Sequence, residues 1–283
     1  MKNKVLLGAI ALVIAEAFFA GVSAIVKLLS DSLSESQIIF FRNFFALLFL
    51  GPWCLKKGAQ AIYTRRVGLH LFRAATGLGG MYCFFYVLAH MPFTSAILAL
   101  KMAPFFIPII AKIWLKERIQ SKTVVAIMIG FVGAAFIISP QQGIEFNLLF
   151  IVVFCALLVA TTKCTIRKLS DTEPAVRIVF YFICVSTLFS FPLMMTDWQP
   201  INNQNWGLLV LTGALAVCGQ LLMTQAYYYA SPVKIGLLGY SSVFFAAMIG
   251  YMFWDEPLTL GMLFGGILLI WAANVTIRQR WFI

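Results

Sequence analysis

Four charged side chains stand out inside apolar runs of this chain: Glu16, Lys27, Arg42 and Lys101. An ion in hydrocarbon is costly, so each is a candidate for ligand binding, proton transfer or a buried ion pair. Glu16 lies about eleven residues into its run, near a bilayer midplane at ~1.5 Å per residue. Lys101 lies at a similar depth, about seven residues into its own run. Facing each other, the two would form a buried ion pair. Facing a ligand, Glu16 would take a proton or an ammonium group, and Lys101 and Arg42 would take a carboxylate. Both readings of the Glu16 and Lys101 charges stay open. Arg42 has a plainer role too, pairing with an acidic residue or a lipid headgroup. Lys27 can snorkel to the interface or pair with Asp31 one turn on. A second tier is uncharged: Tyr82, Tyr86, Gln220, Gln225, Tyr227 and Tyr240 would suit the wall of a polar, aromatic cavity. For any single one, interfacial anchoring or interhelical hydrogen bonding is the blander assignment. Pro104 and Pro108 free backbone carbonyls within one run. His90 reads as solvated, and His70 with Arg73 one turn on reads as an interfacial anchor.

These residues need a membrane scaffold to place them. The chain has 283 residues, 62% hydrophobic and only 11% charged, against about 25% charged in soluble domains. Runs long enough to span a bilayer fall at roughly 5–29, 36–55, 67–89, 94–115, 122–139, 146–165, 175–195, 205–229, 233–253 and 259–277. Lys and Arg collect in alternate connections, from Lys2 and Lys4 through Lys56, Lys57, Arg65 and Arg66 to Arg278 and Arg280. Asp31, Glu35, Glu145, Asp197, Asp255 and Glu256 occupy the others. The positive-inside rule then puts both termini in the cytoplasm. It also accounts for the net charge of +11 without a nucleic-acid partner.

The chain repeats itself. Leu29-Ser30-Asp31, Phe40-Phe41, Pro52 and Pro92 return 140 residues later as Leu169-Ser170-Asp171, Phe180-Tyr181, Pro192 and Pro232. Phe105-Phe106 and Glu117 return 139 later as Phe244-Phe245 and Glu256. The spacing predicts two copies, 1–140 and 141–283. Five spans per copy is an odd number, so the second copy is upside down. The predicted fold is all-α and integral to the membrane: ten transmembrane helices as two inverted five-helix repeats. Such repeats form transporters with a site near the midplane. The copy-two counterparts of Glu16, Arg42 and Lys101 are Ala156, Phe182 and Tyr240. The charges therefore belong to one half and not to the repeated scaffold. Small-residue pairs such as Ala75-Gly79, Thr76-Gly80, Ala126-Gly130 and Gly261-Gly265 read as helix packing within a monomer, with a weak dimer as the alternative.

No GxSxG, HExxH or P-loop pattern occurs in the chain. The six cysteines show no metal or disulfide spacing. An enzyme, a resident metal or cofactor, and ATP-driven pumping are not expected. Movement would run on a gradient, with protons as a candidate coupling ion.

Arg42-Asn43-Phe44, the Pro92 to Pro104 stretch, Glu117 and Glu256 closing spans four and nine, and the ten-span duplication together resemble the EamA-type drug/metabolite transporter superfamily. His70-x-x-Arg73, Tyr240-Ser241 and Glu256-Pro257 resemble its branch of S-adenosylmethionine uptake carriers. The resemblance implies a bacterial inner-membrane transporter of a small polar metabolite, an amino acid or derivative, working by alternating access. Uptake of S-adenosylmethionine or a nucleotide derivative is the nearest rival, and a lipid-handling protein is the rival of another class.

Overall fold

The computed structural model describes residues 2–56, 58, 62–90, 93, 96–97, 102–116, 121–137 and 146–255, with 260–261, 264–265, 267–268 and 271–272. The elements are helices: α1 (Lys2–Leu29), α2 (Glu35–Lys56), α3 (Val67–His90), α4 (Ala103–Trp114), α5 (Ser121–Ile137), α6 (Phe146–Leu169), α7 (Ala175–Thr196) and α8 (Asn203–Tyr229). The ninth, α9 (Pro232–Trp254), is broken by a 3-10 stretch over Gly236–Tyr240. The described residues between 260 and 272 are helical as well. Seven of these helices are long and apolar enough to cross a bilayer, and α4 and part of α5 are shorter apolar helices. Helices suit this chain because a bilayer offers the backbone no partners. Large apolar side chains face outward, including Phe150 at 73% and Leu188 at 69% exposure. In water that surface would be a liability; toward lipid it is the expected exterior.

The two copies pack by one rule. Helix α1 lies along α8, and its counterpart α6 lies along α3. Helix α8 also packs on α2, as α3 does on α7; α4 packs on α6, as α9 does on α1; α2 packs on its own counterpart α7. The correspondence reaches single side chains. Lys27 Nζ donates to the Leu88 and Ala89 carbonyls at 2.9 and 3.3 Å. Arg167, its counterpart, donates to the Tyr227 and Tyr228 carbonyls at 3.3 and 3.2 Å. Each cation thus covers carbonyls at the end of a neighbouring helix, where the helix itself offers no donor. Lys116 and Asp255, 139 residues apart, both adopt the left-handed backbone region, with φ 55 and 53. Each stops the fourth helix of its copy as a C-terminal cap does.

The small-residue pair Thr76-Gly80 meets α6 of the same chain. Thr162 Oγ1 donates to Thr76 Oγ1 at 2.9 Å, and Cys155 Sγ donates to the Gly80 carbonyl at 3.3 Å.

Two polar latches join the copies at opposite faces. On the face of α2's first turn, Gln37 Nε2 donates to the Gln199 carbonyl at 2.8 Å and Gln199 N donates to Gln37 Oε1 at 3.0 Å. On the other face, Thr64 Oγ1 donates to Glu173 Oε1 and Arg177 Nη1 donates to Glu173 Oε2, both at 2.6 Å. Gln37 and Arg177 are 140 residues apart, so one scaffold position anchors both latches with different chemistry.

The Glu173 latch should respond to acid. Burial pushes the Glu173 carboxyl up, but the hydrogen bonds from Thr64 and Arg177, with the Arg177 charge, outweigh it and hold the carboxyl below its ordinary range. A depressed folded value contributes stability above the unfolded carboxylate value, and that contribution is lost as pH falls through the folded one. Glu173→Gln is expected to lower the melting temperature at neutral pH by about 3–6 °C and to flatten its acid dependence. An unchanged melting curve at neutral pH would mean the latch contributes nothing.

Candidate functional site

A cavity of about 190 Å³ lies between the two copies. Helices α1, α2, α3, α4, α6, α7, α8 and α9 all contribute to its wall. Four charged residues line it: Glu16, Arg42, Arg73 and Lys163. None is more than 8% exposed. Each is placed by its helix well inside the membrane. Arg42 is about 10 Å along α2 and Arg73 about 9 Å along α3, entering from opposite faces, at ~1.5 Å per residue.

Each guanidinium is fixed by a neutral acceptor. Arg42 Nη1 donates to Asn43 Oδ1 at 2.8 Å, and Asn43 Nδ2 is itself held by the Ile39 carbonyl at 2.8 Å. Arg73 Nη2 donates to Gln220 Oε1 at 2.7 Å. The Arg73 guanidinium lies 3.6 Å from the centroid of the Phe182 ring, a cation–π contact in a dry setting. Arg73 Nε and Nη1 are buried with no hydrogen-bond partner among the described residues. Neither arginine reaches a carboxylate there.

The repeat explains the asymmetry. Phe182 occupies the copy-two position of Arg42, so where one copy supplies a charge the other supplies the ring beneath a second charge. Gly77, one turn beyond Arg73 on α3, leaves the space: a Cβ there would sit 2.9 Å from Arg73 Nη1 and 2.9 Å from Phe182 Cε2.

On the other side, Lys163 Nζ lies 4.0 Å from Glu16 Oε1. The 3-10 stretch of α9 passes beside this pair. A Cβ on Gly239 would come within 3.3 Å of Glu16 Oε1 and 3.6 Å of Lys163 Nζ. Helix α9 thus departs from α-helical geometry beside the cavity, where membranes tolerate it.

Of the residues expected from sequence, Glu16, Arg42 and Gln220 line this cavity. Lys101 lies outside the described residues, as do Pro92, Glu117 and Glu256. The cation brought to Glu16 among the described residues is Lys163. Tyr82, Tyr86 and Tyr240 are not in the lining. Tyr86 is 41% exposed and stacks on His90 at 4.1 Å. Tyr82 packs against the apolar core as a partly buried side chain. Tyr240 is buried, with its ring against the Gly130 position of α5. His70 is fully buried and stacks on Tyr181 at 4.5 Å, not at a lipid interface.

Sequence reasoning reads Arg73 only as an anchor with His70 and passes over Lys163, which lies two residues from the end of its apolar run, where a cation normally snorkels outward. The signal that could have found Lys163 is helix length. Helix α6 runs to Leu169, four residues past the apolar run, so Lys163 is about 9 Å inside.

The model of the EamA-like transporter family matches residues 6–139 and again 147–278. The chain is 30% identical over 282 residues to the pseudopaline exporter CntI of Pseudomonas aeruginosa, covering 99% of this chain and 98% of that one. It is 28% identical to a riboflavin transporter of Vibrio cholerae over 81% of this chain and 79% of the relative. It is 24% identical to an S-adenosylmethionine uptake transporter of Rickettsia prowazekii over 86% and 83%. A solved crystal structure superposes with a TM-score of 0.75 over 94% of this chain and 95% of that chain, at 14% identity, which speaks to the fold alone. With the family model covering nearly the whole chain in two successive copies, this all-helical, multi-pass membrane protein is a transporter of small molecules and belongs to the EamA-like transporter family.

Proposed function

We propose that the chain is a gradient-driven transporter of a small polar metabolite bearing a carboxylate, an amino acid or a derivative of one. It sits in a bacterial inner membrane with both termini cytoplasmic. The observation that carries this reading is the pair Arg42 and Arg73: two buried guanidiniums on one cavity, with no carboxylate against either among the described residues. A protein that keeps such charges in a membrane offers them to a ligand. Glu16, the carboxylate of the described lining, would receive the substrate's ammonium group or a coupling proton. The excess of cations favours an anionic substrate over a cationic one such as S-adenosylmethionine. The two latches support alternating access, since opening one while the other holds would expose the cavity to one face at a time.

Uptake into proteoliposomes tests the reading, with labelled amino acids and their derivatives and unlabelled substrate preloaded inside. Saturable uptake stimulated by internal substrate is expected, and Arg42→Gln should remove it. Lipid scrambling by the same vesicles without any such flux would sink the proposal.

A further inference from the structure

We infer that the substrate carries two carboxylates, one received by Arg42 and one by Arg73, together with an amine that faces Glu16. The inference rests on the carboxylate reading above and sharpens it to a class: an amine-bearing dicarboxylate.

The described lining holds three cations and one carboxylate. The carboxylate lies beside Lys163, which leaves an excess of two positive charges, and these are the two arginines. Their fixed partners, Asn43 and Gln220, are amides, which satisfy geometry and leave charge untouched. Arg73 is clamped over Phe182 and above Gly77, so it is held on its own side of the cavity. Its Nε and Nη1 lack acceptors, and buried donors without acceptors call for a group that is missing from the site. A substrate with one carboxylate would leave one guanidinium uncompensated in a low-dielectric space. A substrate with two gives each guanidinium its own counter-charge, while its ammonium meets Glu16, and the net excess falls from two to one. The two arginines enter on different helices from opposite faces, which suits two separate carboxylates better than one shared between them.

Isosteric pairs that differ by one carboxylate test this: glutamate against glutamine, aspartate against asparagine, and succinate against succinamate. Binding to the purified wild-type protein in detergent would be measured by calorimetry and by ligand-induced thermal shift. The dicarboxylate of each pair is expected to bind about 10- to 100-fold tighter. Glutamate should also bind tighter than glutarate, which lacks the amine. Arg42→Gln and Arg73→Gln should each erase the discrimination within a pair, and Arg→Lys at either position should restore part of it. Equal binding of both members would overturn the two-carboxylate inference and leave the carboxylate reading standing. Binding to none of these compounds would overturn both. The wild-type comparison does not depend on any variant folding.

Discussion

Uptake by the Arg73→Gln protein is expected to fall about 100-fold or more below the wild type, with the purified protein still folded. Arg73 is nearly fully buried and lies on the cavity. Glutamine keeps an amide donor for Gln220 but loses the charge, and with it the contact proposed to a substrate carboxylate, a kind of contact among the strongest polar ones. A companion change separates charge from position. Gly77→Ala keeps the guanidinium but puts a methyl group 2.9 Å from Nη1 and 2.9 Å from the Phe182 ring, closer than real side chains come. The guanidinium or the ring must move. The expected result is a rise of about tenfold in KM with smaller change in maximal rate, the signature of a displaced binding group. Wild-type uptake by Arg73→Gln would take this arginine out of the substrate path and make it a packing residue over Phe182.

Charge placement shows how much of the molecule was legible in the sequence. The scaffold was readable because lipid imposes it. Apolar runs must become helices, and a five-span unit repeated once must invert. The 140-residue repeat reappears as matched structure at positions beyond its sequence landmarks, Lys27 with Arg167 and Gln37 with Arg177. The cavity was readable where a charge breaks an apolar run with nothing local to explain it, as at Glu16 and Arg42. Arg73 lies as deep in its run as Arg42 but reads with His70 as an anchor, and Lys163 sits two residues from the end of its run, where a cation has a cheap route to water. Sequence alone gives no view of how far the helix continues or of what closes over it. The tyrosines mislead for a related reason. A tyrosine fits a cavity wall, an interface or a core equally well, and only packing decides; Tyr86 goes outward and Tyr240 goes against α5.

Glu16→Gln is expected to abolish transport and to destabilise the protein, and the two effects should part company in a second variant. The single change takes away the carboxylate 4.0 Å from Lys163, with side chains only 10% and 6% exposed. Losing one member of a buried pair costs about 3 kcal/mol or more, visible as a lower melting temperature. It also raises the cation excess of the lining from two to three and removes the group proposed to meet the substrate's amine or a coupling proton. Glu16→Gln combined with Lys163→Gln removes both charges and should recover most of the lost stability. If Glu16 handles substrate or proton, the double variant still fails to transport, while succinate, which has no amine, still binds. If the pair is a structural clamp between α1 and α6, the double variant transports at close to the wild-type rate. That outcome would remove Glu16 from the site and leave the two arginines to define it. Glu16→Asp adds the intermediate case. It keeps the charge but draws it back by one methylene, so a transport role predicts a slowed carrier and a purely electrostatic role predicts a nearly normal one.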